Sequence, residues 1–159
     1  SDNTYTGKTL LAGATTALRD SAKLSGTSDI EIVYATLNID NANGVRDLSD
    51  RVNDAAPISL RGGTINFLGR AQTASAETLG DVTLNRGFSI ITSAAGGTGV
   101  NSAELTLTSL TQAAGSYATV NFNTANLGQY GSFGRILIGT LNGVAIDATT
   151  LGTGKIIDR

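Results

Sequence analysis

Along almost the whole chain, apolar residues recur two positions apart in short bursts, and Gly, Asn, Asp or Ser ends each burst within a few residues. The pairs run from Ile30 and Ile32, with Tyr34, through Leu37 and Ile39, Ile58 and Leu60, Ile65 and Phe67, and Val82 and Leu84. They continue with Phe88 and Ile90, Leu105 and Leu107, Val120 and Phe122, Ile136 and Ile138, and Val144 and Ile146, and close on Ile156. A period of two places alternate side chains on opposite faces of an extended chain, so each burst predicts a strand with one face on a core. The glycines and Asx residues between them supply positive φ or side-chain-to-backbone turns. DAAPISLRGGTINFLGR, residues 54–70, shows the design in miniature: two alternations hinged on Gly62 and Gly63, with the only proline, Pro57, just ahead of them.

Two segments compete as helix. In TTALRDSAKLSG, Ala17, Leu18, Ser21, Ala22 and Lys23 suit about two turns closed by Gly26. In VRDLSDRVND, Val45, Leu48 and Val52 fall at i, i+3 and i+7. One or two short helical turns are therefore expected, too short to organise a domain.

Many short strands admit a sandwich, a barrel or a solenoid. The two-residue hairpin signal Asn-Gly occurs only at Asn43-Gly44 and Asn142-Gly143, too seldom for an up-and-down antiparallel fold of some ten strands. Equivalent alternations recur irregularly, as from Phe67 to Leu84 and from Leu84 to Leu107, which suits coils stacked one on another. Such a stack has a narrow interior, in keeping with 40% hydrophobic residues of which few are aromatic, 5% of the chain. The expectation is an all-β solenoid, residues 1–159 forming a single domain, with six to eight coils at a period of ~20 to 25 residues.

The opening NTYTGKTLLAG, Asn3 to Gly13, resembles the autotransporter-associated β-strand repeat of large bacterial surface proteins. Leu48, Asp50, Arg51, Asp54, Ala55, Ala56, Pro57, Gly62, Gly63 and Thr64 match the segment that often continues such proteins, and ETLGDVTLNRGFSIITSAAGGTGVNSAELTLTSLTQAAGSYATVNF is similar to their later coils. The likeness spans about Asn3 to Phe122. It implies a right-handed parallel β-helix in an exported protein used for adhesion, surface display or fibre formation, located extracellularly or on the bacterial cell surface. It carries over no catalytic residue. It implies structural turn and ion-pair roles for Asp50, Arg51, Asp54, Pro57, Gly62 and Gly63, with Asp50 or Asp54 paired to Arg51. The chain contains no Met, so it is expected to be a segment or processed subunit.

Chemistry finds little purchase. There is no cysteine for a thiolate or a Cys-type zinc site and no histidine to serve as base. Asp40, Asp47, Asp50 and Asp54 form the densest acidic group, but the interleaved Arg46 and Arg51 favour ion pairing over a catalytic carboxylate pair. GGTGVNSAE, residues 96–104, has Asn101 and Ala103 where a calcium β-roll needs Asp and a large apolar residue. GKT at Gly7 to Thr9 has Asp2 in place of the first P-loop glycine. No catalytic, metal or cofactor site is therefore expected, and the chain is not read as an enzyme.

A net charge of -2 speaks against nucleic acid. The uncharged run from Gly87 to Ala103 holds four glycines and so does not suit a membrane span. Among aromatics, Tyr117, Tyr130 and Phe133 cluster, and Tyr130 and Phe133 are the candidate interaction surface. Two functional classes follow. One is a scaffold, fibre or filament element, adhesive in some settings, whose partner is itself or an adjacent solenoid segment stacked end to end. The other is a domain that binds or cleaves polysaccharide, with surface glycans as partners.

Overall fold

The computed structural model describes residues 3–97, 101–124 and 133–146. Two sheets of parallel strands face each other, and the chain alternates between them. The first sheet has the order β1 (Thr9–Ala12), β3 (Ile30–Val33), β5 (Ile58–Arg61), β7 (Ala74–Arg86), β9 (Ser102–Gln112), β11 (Gly134–Leu141), β12 (Val144–Ala145). The second has β10 (Thr119–Asn123), β8 (Phe88–Ala94), β6 (Thr64–Leu68), β4 (Thr36–Asp40), β2 (Thr15–Leu18). Every pairing is parallel except β11 with β12. From β1 to β11 consecutive strands thus lie in opposite sheets and each coil rests on the one before, which makes the fold a β-solenoid.

The register turns the sequence alternation into interior columns. In the first sheet one column runs through Thr9, Ile30, Ile58, Val82, Leu110 and Leu141. In the second, Thr16, Leu37, Ile65, Ile91 and Phe122 align, and Leu18, Ile39, Phe67 and Ser93 beside them. Ile30, Ile32, Leu37, Ile39, Leu60, Ile65, Phe67 and Ile91 are fully buried. β-branched and Leu side chains one layer apart stack directly across the ladder, the pairing that stabilises sheets.

Among the described residues, five coils carry a strand in each sheet, fewer than the six to eight expected. The reason is coil length. Thr9 pairs with Ile30, 21 residues on, but Ile30 pairs with Ile58, 28 on, and Leu110 with Leu141, 31 on. The extra residues form the corner loops. Phe67 and Leu84 belong to strands of opposite sheets, and Leu84 and Leu107, though in one sheet, are not register partners, since Leu84 pairs with Gln112.

No helix forms among the described residues. Thr15–Leu18 is β2, with Leu18 buried, and Asp20 just beyond it has a φ of 56°. In the second candidate helix, Arg51 and Val52 turn their backbone N–H groups to Glu77 of β7, so those donors are spent on another coil. Tertiary bonding overrides the weak helical period.

Two alternations lie one residue out of phase with the structure, and in a third Val144 is exposed, in β12. Tyr34 does not continue Ile30 and Ile32 inward but sits exposed at the corner after β3, with a φ of 45°. In β8 it is Ser89, Ile91 and Ser93 that are buried, while Phe88 is exposed. FSII offers apolar residues in both phases, so its pattern alone cannot choose a face, and the register with β6 decides. Asn142-Gly143, with φ of 49° and 80°, does form the β11–β12 hairpin. Asn43-Gly44 instead lies in the loop after β4.

Candidate functional site

The residues singled out in the sequence come to lie at two different places. Arg51 is fully buried in the loop that leads into β5. Its Nε donates to Asn41 Oδ1 at 2.7 Å, its Nη1 to the carbonyls of Asp20 and Ala22 at 3.0 and 2.9 Å, and its Nη2 to the carbonyl of Arg46 at 3.2 Å. Asn41, buried as well, also donates to the Leu48 carbonyl at 2.9 Å. One guanidinium therefore ties its own loop to the corner of the coil before it. A planar fork with five donors suits this task, and Lys could not span so many carbonyls.

The neighbouring coil completes the clamp. Glu77, only 2% exposed, accepts from Arg51 N at 3.0 Å and from Val52 N at 2.9 Å. Burial pushes its carboxyl up to about 7, against the downward pull of those two backbone bonds. Nearby, Arg19 reaches Asp40 Oδ2 at 2.8 Å. Burial raises Asp40, but bonds from Asn43 and Arg19 outweigh it and hold the carboxyl below its ordinary range.

The expected partners of Arg51 lie elsewhere. Asp50 faces Lys23 at 3.6 Å. Asp54 is exposed, and partial burial with the nearby Asp50 charge raises its carboxyl. Neither closes an ion pair on Arg51, whose acceptors are carbonyls and an amide. Pro57 is exposed, and its carbonyl accepts from Ile30 N at 2.9 Å where β5 begins. Gly62 takes a φ of 68° at the next corner, and a Cβ on Gly63 would stand 2.6 Å from Ile32 Cγ2. Glu77 and Asn41 were not singled out as clamp residues. The stretch beginning ETLG, similar to the later coils of passenger repeats, includes Glu77, but nothing in it says that the Glu points inward.

No family model, curated protein or solved structure matches the chain.

The second place is the ends of the stack. Beside β1 and β2 an opening of about 410 Å³ is lined by Thr9, Leu11, Thr16, Leu18 and Leu24, the inward side chains of the first coil, together with Tyr5. The Tyr5 hydroxyl bonds to Thr9 Oγ1, which lies 2.7 Å from Thr27 Oγ1, so the NTYTG segment partly screens this end. Toward the other end, Leu110, Val120, Phe122, Ile138 and Leu141 surround an apolar opening of about 600 Å³. Tyr130 lies outside the described residues. Phe133 is half-buried ahead of β11, and its carbonyl accepts from Ala103 N at 3.3 Å.

The other sequence candidates do not assemble. Asn101 donates its side-chain amide to the carbonyls of Gly96 and Gly97, which turns its nitrogen, not its oxygen, toward its own loop. Lys8 pairs with Glu31 at 2.7 Å and Asp29 at 3.5 Å, so GKT is engaged in surface ion pairs. Among the described residues no group of three acidic side chains could hold a metal ion, and no helix is long and apolar enough to cross a membrane.

Proposed function

We propose that the chain is a structural, non-enzymatic segment of an extracellular or bacterial cell-surface protein, a right-handed solenoid that lengthens into stalks or filaments by adding coil to coil. The resemblance to autotransporter passenger repeats supports this, as does an interior made of aliphatic columns.

One observation carries the reading. Thr9 N and Gly13 N donate to Asp29 and Val33 of the next coil. Donors alternate along a strand, so the N–H groups of Leu10 and Ala12 face the other way. Among the described residues no strand lies there. A parallel edge with inward side chains already in column is a template for a further coil, supplied by a second copy or by more of the same polypeptide.

Light scattering across a wide concentration range, with electron micrographs of the same samples, tests it. Leu10→Pro removes one outward N–H and none of the donors to β3, so it should block association at this edge while leaving the fold intact. Material that stays monomeric at high concentration, or that associates equally well as Leu10→Pro, would count against stacking.

A further inference from the structure

An exposed aromatic column runs along the corner between the sheets, and its backbone is unusual. Tyr34, at the corner of the β3–β4 coil, is 68% exposed with a φ of 45°, and Tyr117, ahead of β10, is 89% exposed with a φ of 50°. A bulky side chain rarely adopts this left-handed region, and elsewhere along this corner Gly13, Gly62 and Gly87 take it instead. Neither tyrosine recovers the strain by burial. Phe88, aligned with Gly62 and Tyr34 through the β4–β6–β8 register, is a third exposed ring, 57% accessible. The Tyr34 ring lies across Gly62, where a Cβ would come within 2.8 Å of its Cε1.

The outer face of the second sheet continues from this corner. Its rows are Thr15, Thr36, Thr64, Ile90 and Asn121, then Ala17, Asn38, Asn66, Thr92 and Asn123. No charged side chain stands in either row. Asn66 donates to Asn38 at 2.8 Å, which fixes the two amides in line.

We propose that this corner and face bind a neutral polysaccharide, with sugar rings stacked on Tyr34, Phe88 and Tyr117 and hydroxyls hydrogen-bonded to the Thr and Asn rows. Charge complementarity favours an uncharged chain over an acidic one: both rows are neutral, Arg61 at the margin is engaged by Glu31 at 3.0 Å, which leaves the exposed Arg86 as a single cation to meet an acidic chain, and the protein is acidic overall. The apolar area is wrong for a protein partner. Three rings set among glycines and hydroxyls fall short of the roughly 800 Å² per side of a stable protein interface with its packed apolar centre. They do suit sugars, which offer flat apolar ring faces to aromatic side chains and hydroxyls to polar ones. Tyr34 and Phe88 stand two layers apart, ~10 Å at the usual strand spacing, so that an extended chain along the solenoid axis would meet both.

Affinity electrophoresis of the whole chain in native gels containing hydroxyethyl cellulose, mannan, dextran or acidic alginate tests the proposal. Retardation by at least one neutral polymer, and none by alginate at physiological salt, is expected. Tyr34→Gly and Tyr117→Gly should each weaken it at least tenfold, and Phe88→Thr, which copies the aligned Thr119, likewise. The two glycine variants should melt no lower than the parent, because they relieve the positive φ; lost binding with a retained melting point separates a contact role from a structural one. No retardation by any neutral polymer, stronger retardation by alginate, or full retention of binding in the variants would overturn it. Because the column and the β1 edge are different surfaces, failure here leaves end-to-end stacking untouched.

Discussion

Glu77 and Arg51 sit in the same clamp, yet pH acts on them unequally. Burial raises the Glu77 carboxyl from 4.5 to about 7, so the folded state holds its proton more tightly than the unfolded chain does. That contribution is fully present below pH ~4.5 and is lost as the pH rises through 7; it amounts to about 3 kcal/mol at ~1.4 kcal/mol per unit. Glu77→Gln keeps an oxygen for the Arg51 and Val52 N–H groups but cannot ionise. Urea midpoints measured from pH 4 to 8 should therefore fall less steeply in the variant, and parallel slopes in the two proteins would show that Glu77 is not the titrating group. Arg51 gives the harsher test. Arg51→Met fills part of the space but strips Asn41 and three carbonyls of their donor, and breaking such a buried polar network costs roughly 3–5 kcal/mol. A loss below 1 kcal/mol in denaturant titration would mean that water replaces the guanidinium.

At the scale of strands, β8 shows what the register imposes. It turns Ser89 into the core, where its Oγ is buried and without a hydrogen-bond partner. Ser89→Ala removes the unpaired hydroxyl without leaving a large void and should stabilise the protein by about 1 kcal/mol, seen as a higher urea midpoint. The opposite error is easy to introduce at Gly80. A Cβ there would lie 2.5 Å from the Ala56 carbonyl oxygen and 2.9 Å from that of Asp54, backbone atoms that cannot swing aside. Gly80→Ala should cost about 1–3 kcal/mol, measured the same way. These two positions also mark how far the chain could be read from its residues. Wherever one phase of an alternation was apolar and the other polar, as at Ile58 and Leu60 or Leu105 and Leu107, the inward face was plain. Where both phases were apolar, as at Phe88 to Ile91, or where an aromatic followed the strand in phase, as at Tyr34, the face depended on the neighbouring coil. The clamp was legible in part. Arg51 stood out by its motif, but its acceptors are carbonyls, which the sequence does not label, and its far anchor, Glu77, arrives from a coil 26 residues on.

The described residues form a one-dimensional stack, and its stability should be distributed accordingly. Among the described residues β1 to β10 pair only with strands of the adjacent coils, so a defect at one end can fray without unfolding the rest. Leu60→Ala, in the middle of the first sheet, opens a void beneath fully buried neighbours and should lower global stability by roughly 2–5 kcal/mol. Leu18→Ala, in the edge strand β2, should instead release mainly the first coil, with backbone amides of Thr15–Leu18 exchanging fast while those of β5 to β9 keep their protection. The Arg51 clamp works against such piecemeal opening. Its guanidinium reaches the corner after β2, its backbone N–H is held by β7, and the two anchors lie on opposite sides of the loop that joins β4 to β5. Three coils are thereby tied where strand pairing alone would link them two at a time. In Arg51→Met the fast-exchanging region should consequently spread from β1 and β2 into β3 and β4, whereas Leu18→Ala should leave β3 and β4 protected. Native-state hydrogen exchange with fragment-level resolution reads both patterns. Identical profiles in the two variants would mean that the coils are coupled by the ladder alone.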